Sequence, residues 1–354
     1  MSIDHCPLSI VIPAHDQAGE LRRHLPRILE QDFEDFEVIV VDIASTDETK
    51  DVLEQLERSH PQLHHTHTPA SARDISLERL ALTLGFRAAR HEWVVLTRAD
   101  CEPATPHWLK HISEAAKTDK SIILGAAKYD EERRTWFDVK VAYFRLWNTL
   151  AYLRHVQDGY PAVRADECNV VIRRSLFMQA EGFGQHINLL AGAAELLVNR
   201  LSTPTNTAVI TSPEAIVIQD RLFAERLWLK RRTFYMETRR YQQHATYYRF
   251  KQNLSMTMPW LMLLCIIGFW PLTMYHNIPK TEPFWILLAL LLLLVFIITA
   301  YNTSSFNRAA RELGYKRQFY FSSPLLSLSL LIWNAQSWLR HRFTPKNEFR
   351  KKFV

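Results

Sequence analysis

Residues 8–13 read Leu-Ser-Ile-Val-Ile-Pro, residues 37–42 Glu-Val-Ile-Val-Val-Asp, and residues 93–97 Trp-Val-Val-Leu-Thr. Each is a short apolar run rich in β-branched residues, without the alternation of a strand that faces water on one side. Between them lie helical patterns. One covers Glu20–Gln31, one opens at Ser45-Thr46-Asp47-Glu48 and runs to about Arg58, and one covers Ser76–Arg90. Buried strands separated by helices imply an α/β fold whose parallel sheet is covered on both faces.

The 354 residues leave room for about two domains. At 47% hydrophobic and 23% charged, the chain can bury a full core, which excludes a disordered or tail-like protein. Nine glycines, with no GxGxxG and no GxxxxGK[ST], exclude the glycine-fingerprint nucleotide binders. Cys6, Cys101, Cys168 and Cys265 lie far apart, so neither a zinc ribbon nor a disulfide scaffold is expected.

Charge divides the chain. Residues 221–354 hold 20 Lys/Arg against 5 Asp/Glu, and residues 1–220 hold 23 against 32. The basic part contains two uncharged apolar stretches, Met256–Tyr275 and Phe284–Ala300. Seventeen to twenty helical residues nearly cross a hydrocarbon core of ~30 Å. Arg226, Lys230, Arg231, Arg232, Arg239, Arg240, Arg249 and Lys251 precede them; Arg308, Arg311, Lys316 and Arg317 follow. The positive-inside rule places both flanks in the cytoplasm, which makes a helical hairpin anchor. A third stretch begins at Ser323-Pro324 and reaches about Leu339. Basic flanks on one side and Asn334 and Gln336 within it favour an interfacial or re-entrant helix over a third span. The run ending at Pro13 is too short for a secretory signal, so the front domain is expected in the cytosol. The expected organisation is a front domain over 1–220, a basic amphipathic connector over 221–255, two transmembrane helices over 256–301, and a basic segment with its interfacial helix over 302–354.

In open α/β sheets, ligands bind beyond the carboxyl ends of the strands. Those ends carry Pro13-Ala14-His15-Asp16, Asp42-Ile43-Ala44-Ser45 and Arg98-Ala99-Asp100-Cys101. Carboxylates there suit a cation-assisted phosphate ligand; they also suit simple capping of the next element.

These segments, SIVIPAHDQAGEL, VIVVDIASTDET and ALTLGFRAARHEWVVLTRADCEP, resemble a family 2 glycosyltransferase of the GT-A fold. CNVVIRRSLFMQAEGF, AGAAELLVNRL and WLKRRTFYMETRRY follow in the order of that family's later motifs, so the resemblance covers roughly residues 5–260. It implies transfer of a sugar, with inversion, from a nucleotide-diphosphate donor to a lipid-linked or cell-envelope glycan, at the cytoplasmic face of the inner membrane. By the same resemblance Pro13, His15, Asp42, Ser45, Arg98, Arg231 and Arg232 face the donor. Asp100 faces a Mn2+ or Mg2+ ion, and Glu195 is the candidate general base.

The sequence departs from the family pattern at four places. Asp42 is followed by Ile43 rather than a second acid. The Asp-x-Asp is Arg98-Ala99-Asp100. Ala193 stands at the position of the base, with Glu195 two residues on. Leu229 replaces the Gln of Gln-x-x-Arg-Trp, while Arg232 is kept. An arginine about 6 Å from a divalent ion is repelled by roughly 5 kcal/mol at an effective dielectric of ~20. Two readings of Arg98 follow: its guanidinium replaces the metal on the diphosphate, or it ties up Asp100 in an ion pair. Glu195 is either the base or a supporting residue, since positions i and i+2 of a helix face different ways. The corresponding alternative function is a degenerate glycosyltransferase that serves as a binding partner in a membrane glycan-synthesis complex.

Arg231 and Arg232 suit a donor diphosphate or an anionic acceptor lipid, and equally the attraction of inner-leaflet phospholipid. Tyr235, Tyr241, Tyr247 and Tyr248 read as an interfacial belt. His60, His64, His65 and His67 read as a solvated polar connection rather than a metal site. Continuity of the basic segment with uncharged spans argues against nucleic acid.

Overall fold

The computed structural model describes residues 5–69, 75–131, 135–220, 224–275, 282–320 and 322–350. In chain order the front of the chain forms β1 (Leu8–Ala14), α1 (Ala18–Leu29), β2 (Phe36–Asp42), α2 (Thr49–Ser59), β3 (Leu63–His67), α3 (Leu77–Ala88), β4 (Trp93–Leu96), β5 (Cys101–Pro103), α4 (Trp108–Ala116), β6 (Ile122–Leu124) and β7 (Ala127–Tyr129). There follow α5 (Trp136–Gln157), β8 (Val170–Arg173), α6 (Arg174–Gln179), α7 (Ala193–Leu201), β9 (Thr207–Val209), β10 (Val217–Gln219), α8 (Glu225–Thr238), α9 (Ala245–Tyr275), α10 (Glu282–Glu312) and α11 (Ser323–Phe343).

Among the described residues the main sheet has the order β3-β2-β1-β4-β8-β6-β9. Its strands alternate between two buried clusters. Ile10, Ile12, Val38, Val40 and Val95 face α1, α2 and α4; Val11, Ile39, Val41, Val94 and Leu96 face α3, α5 and α7. Period-2 side chains on a sheet covered twice produce this division. The approach of α3 to β1 is close: a Cβ on Gly85 would lie 2.2 Å from Val11 Cγ1.

β2 to β1 and β1 to β4 pair in parallel, as expected, and β3 adds in parallel to β2, but β8 runs antiparallel to both β4 and β6. Leu96 therefore faces Val170, and the chain entering β8 lies at the same sheet edge as the chain leaving β4. A second sheet, β5-β10-β7, stands over that edge.

The histidine segment differs from its reading as a connection. Leu63–His67 is an edge strand paired with β2. His65 Nδ1 lies 2.6 Å from Glu57 Oε2, and Arg90 Nη2 2.7 Å from His64 Nε2. An exposed edge tolerates polar residues on a strand, which is why composition pointed to a loop.

The basic connector does not stand apart. Trp228 and Leu229 of α8 are buried in the α5 cluster together with Met256, Phe306 and Trp333. The stretches 256–275 and 284–300 lie in α9 and α10, which pack on one another; the loop expected at their tip includes 276–281, outside the described residues. Among the described residues one helix, Trp285–Glu312, is long and apolar enough to cross a membrane. Its Leu290, Phe296 and Ile297 are more than half exposed. α11 buries Leu326, Leu330 and Trp333 inward and exposes Leu325, Ile332, Trp338 and Phe343 outward. The tail then returns to the front of the chain, where Leu190 N donates to Phe349 O (3.1 Å).

Candidate active site

The turns after β1 and β2 are braced against each other. Asp16 and Ala44 both take left-handed backbone, φ 49° and 48°. For alanine that conformation is strained, and such strain persists where surrounding contacts fix it. Ser45 Oγ accepts from Asp16 N (2.9 Å) and donates to Asp42 Oδ1 (2.5 Å). Thr46 N donates to Asp16 Oδ1 (2.7 Å), and this bond holds the Asp16 carboxyl below its usual range. Asp42 Oδ1 also accepts from Ser45 N (3.1 Å), so one of its oxygens is occupied by its own turn. His15 Nδ1 lies 2.7 Å from Ile43 O. A carbonyl only accepts, so Nδ1 carries the proton, and Nε2 lies 3.6 Å from Asp16 Oδ2. His15 and Pro13 line an open cleft of about 700 Å³ with Glu78, Arg98, Lys230 and Arg231.

Arg98 is the centre of that cleft. Its Nε lies 3.3 Å from Asp100 Oδ1; its Nη1 lies 3.4 Å from Glu78 Oε1 and 3.8 Å from Glu167 Oε2. Glu78 opens α3, and Glu167 precedes β8 at the edge that the antiparallel pairing brings round. Burial opposes the Arg98 charge, but Asp100, Glu78 and Glu167 together raise its pKa well above the ordinary value. Asp100 Oδ2 accepts from Gln219 Nε2 (2.8 Å). Burial pushes the Asp100 carboxyl up, yet Arg98 and the Gln219 bond hold it below its usual range. Burial and the Glu167 charge push Glu78 up.

Both oxygens of Asp100 are thus engaged. Among the described residues no group of three His, Cys, Asp or Glu is placed to hold a metal ion. In this arrangement the residues do not fit a divalent cation at Asp100, because a guanidinium occupies the place between the carboxylates.

Behind Arg98 lies a second space, a chamber of about 170 Å³, which shares Arg98, Glu167, Arg231 and Tyr235 with the cleft. Glu195 projects into it from the first turn of α7 and is 2% exposed. Its carboxylate lies 3.5 Å from Arg164 Nε and accepts from Gln242 Nε2. Burial raises its pKa despite Arg164. Ala193 and Ala194 are buried in the core instead. Arg231 lies 3.8 Å from Glu167. Arg232 lines the chamber rather than the cleft. Its guanidinium stacks over Phe144 (4.1 Å) and Trp228 (4.8 Å), and its Nη2 donates to Asn334 Oδ1 (2.5 Å). Among the tyrosines expected at an interface, Tyr235 lines this space and Tyr248 is buried; Tyr247 is exposed.

Glu78, Glu167, Gln219 and Arg164 line the cleft and chamber and were not singled out in the sequence; Arg239 was read there only as part of the basic flank. The one local signal was Asp166-Glu167 immediately before a buried strand. Asp166 proves structural, forming a two-pronged pair with Arg145 (3.0 and 2.9 Å).

A twisted α/β sheet with turns, a cleft and a chamber gathered at one edge is the GT-A arrangement of nucleotide-sugar transferases. The profile described as "Glycosyl transferase family 2" matches residues 9–180, so that stretch of the chain is similar to this family. An uncharacterised glycosyltransferase of Nostoc sp. is 32% identical over 111 residues, 31% of this chain; the match spans 33% of that relative's length. Among solved structures, the mannosyltransferase PcManGT of Pyrobaculum calidifontis, in complex with GDP-Man and Mn2+, superposes with a TM-score of 0.59 at 16% identity. It covers 96% of this chain and 88% of that one, and shows the shared fold. TarS residues 1–349 of S. aureus, with UDP-GlcNAc, give a TM-score of 0.44 at 18% identity over 62% of this chain and 60% of that one.

Proposed function

We propose that the protein is a membrane-bound glycosyltransferase that moves a sugar, with inversion, from a nucleotide-diphosphate donor to a lipid-linked or cell-envelope acceptor. The observation that carries this reading is the placement of Arg98, Lys230 and Arg231 in a cleft at the carboxyl ends of β1 and β4, within the family 2 fold. The GDP-Man held by PcManGT supports a nucleotide-sugar ligand here. At the end assigned to the nucleoside His15 lines the cleft, while Asp42 and Ser45 stand in the braced turns beside it. Arg98 and Arg231 face the diphosphate; guanidinium groups pair with phosphate in two-pronged fashion and stabilise the charge that grows on the departing nucleoside diphosphate.

In the displacement, an acceptor oxygen forms a bond to the anomeric carbon as the carbon–oxygen bond to the diphosphate breaks. The acceptor's proton passes to Glu195, whose raised pKa brings it closer to working pH, as a general base requires. PcManGT is in complex with Mn2+; in this chain the Arg98 guanidinium supplies positive charge among Asp100, Glu78 and Glu167. α10 anchors the protein in the inner membrane with the catalytic domain in the cytoplasm, supported by its length and apolar surface and by the basic flanks.

The engagement of Asp100 by Arg98 favours a second reading, a chain that has lost turnover and serves as a partner in a glycan-synthesis complex. Titration of detergent-purified protein with UDP- and GDP-sugars, with and without manganese, separates the two. Saturable binding removed by Arg98→Ala keeps the enzyme. Absence of binding to every donor by folded protein overturns it.

A further inference from the structure

The chamber behind the cleft carries an unbalanced charge. Its walls hold Arg98, Arg145, Arg164, Arg231, Arg232 and Arg239 against Asp166, Glu167 and Glu195, six cations to three carboxylates. Arg145 is matched by Asp166, and Arg98 and Arg231 by the carboxylates of the cleft. The excess falls on Arg164, which lies 3.5 Å from Glu195, and on Arg232 and Arg239. Among the described residues neither Arg232 nor Arg239 forms an ion pair. Arg232 is 7% exposed, and its Nη1, fully buried, has no hydrogen-bond partner. Burial, then repulsion by Arg239 and Arg164, pushes the Arg232 pKa down to about 9; burial and Arg164 push Arg239 down to about 10. An uncompensated buried charge is among the most costly features a fold can carry, and a partnering anion relieves it.

This excess is separate from the donor's needs. A nucleotide sugar carries one diphosphate, and Arg98, Lys230 and Arg231 already face the cleft. Arg164 enters from the α5–β8 connection and Arg239 from the end of α8, on the far side of Glu167. The volume of about 170 Å³ admits a tetrahedral oxyanion, since a single water needs only ~10–15 Å³ on the same measure. Arg164 Nη1 also donates to Asn148 Oδ1 (2.8 Å), and Gln252 Nε2 reaches the same oxygen (3.3 Å) from α9. Beyond that α5–α9 contact lies a groove of about 590 Å³, lined by Trp147, Leu150, Met256, Leu263 and Val295 from α5, α9 and α10.

We infer that the chamber is an anion subsite for the acceptor, in which Arg164, Arg232 and Arg239 bind a phosphate group that the acceptor carries beside Glu195. This rests on the glycosyltransferase reading and names the acceptor class of the same site. The groove gives a reason for the phosphate to be borne by an alkyl chain.

The test is calorimetry on the full chain in non-ionic detergent, with octyl phosphate and inorganic phosphate as probes and UDP and GDP as donor-side ligands. Octyl phosphate is expected to saturate, with an affinity changed less than threefold by saturating nucleoside diphosphate. Arg239→Gln and Arg164→Gln are expected to weaken it at least tenfold while nucleoside diphosphate binding stays within threefold, which also reports that they fold. Octyl phosphate tighter than inorganic phosphate by tenfold assigns a lipid source, and equal affinities a soluble one; both keep the subsite. The inference is overturned if nucleotide-competent wild-type protein binds neither phosphate, if saturating nucleoside diphosphate weakens octyl phosphate binding tenfold, or if Arg239→Gln and Arg164→Gln leave it within threefold. If neither UDP nor GDP binds, the glycosyltransferase reading fails and takes the acceptor role with it.

Discussion

Arg98 Nε lies 3.3 Å from Asp100 Oδ1, two residues along the chain, so the arginine of the altered Asp-x-Asp faces the very carboxylate that would otherwise face a cation. The same guanidinium reaches Glu78 and Glu167. A permanent, covalently tethered charge thus stands among the site's carboxylates.

Donor binding should therefore depend on Arg98 and not on added metal. Arg98→Ala is expected to weaken nucleoside diphosphate binding at least tenfold, in line with about 1.5–3 kcal/mol for a hydrogen bond to a charged group. Chelator should change wild-type binding less than twofold. Arg98→Asp, which restores two carboxylates, should bind donor only with manganese. Calorimetry with and without EDTA checks all three; loss of wild-type binding on chelation would contradict the expectation.

Glu195→Gln tests the base. General acid–base help typically amounts to 10²–10⁴-fold, so turnover should fall by that factor once donor and acceptor are supplied. Donor affinity should hold within threefold, because Glu195 lies in the chamber and not in the cleft. A variant that turns over at the wild-type rate would leave Glu195 a supporting residue.

Glu237 joins α8 to the end of α11: His341 Nε2 lies 2.7 Å from one oxygen, and Tyr241 donates to the other (3.0 Å). Burial raises its carboxyl, but these bonds and Arg240 hold it below the ordinary 4.5. A depressed carboxylate contributes stability that is complete above its unfolded value and is lost as pH falls through the lower folded value. Melting temperature should drop over that acidic window in wild type. Glu237→Gln should start lower at neutral pH and lack this component of the drop. Thermal melts across pH measure it; parallel curves for the two proteins would refute the clamp.

Gly85→Ala should destabilise by about 1–3 kcal/mol, the usual cost of overpacking, because the new Cβ meets Val11 at 2.2 Å. Val11→Ala in the same chain should recover part of the loss. Additive melting shifts for the pair would show that β1 and α3 do not touch there.

Leu290 and Phe296 point outward from α10. Changing both to Lys introduces charges worth about +2.5–3.5 kcal/mol each at the centre of a spanning helix. Wild type should float with lipid vesicles on a density gradient, and the double variant should not. Flotation of both would remove α10 as the anchor.

The sequence by itself determined the elements. LSIVIP, EVIVVD and WVVLT became β1, β2 and β4 because apolar patterning is a local property, expressed over a few residues. It also gave the strand ends at which His15, Asp42, Arg98 and Asp100 stand. Where local chemistry was ambiguous it misled, as with the edge strand at Leu63–His67.

Only the tertiary structure decided the site. Strand direction is not written in a run of apolar residues, and the reversal of β8 is what carries Glu167 to Arg98, 69 positions away. Glu195 meets Gln242, and Arg232 meets Asn334, across 47 and 102 positions. Whether a charge is paired or left in excess depends on burial and on distances of a few ångströms between segments remote in the chain. The unbalanced arginines of the chamber could therefore be found only after folding had brought them together.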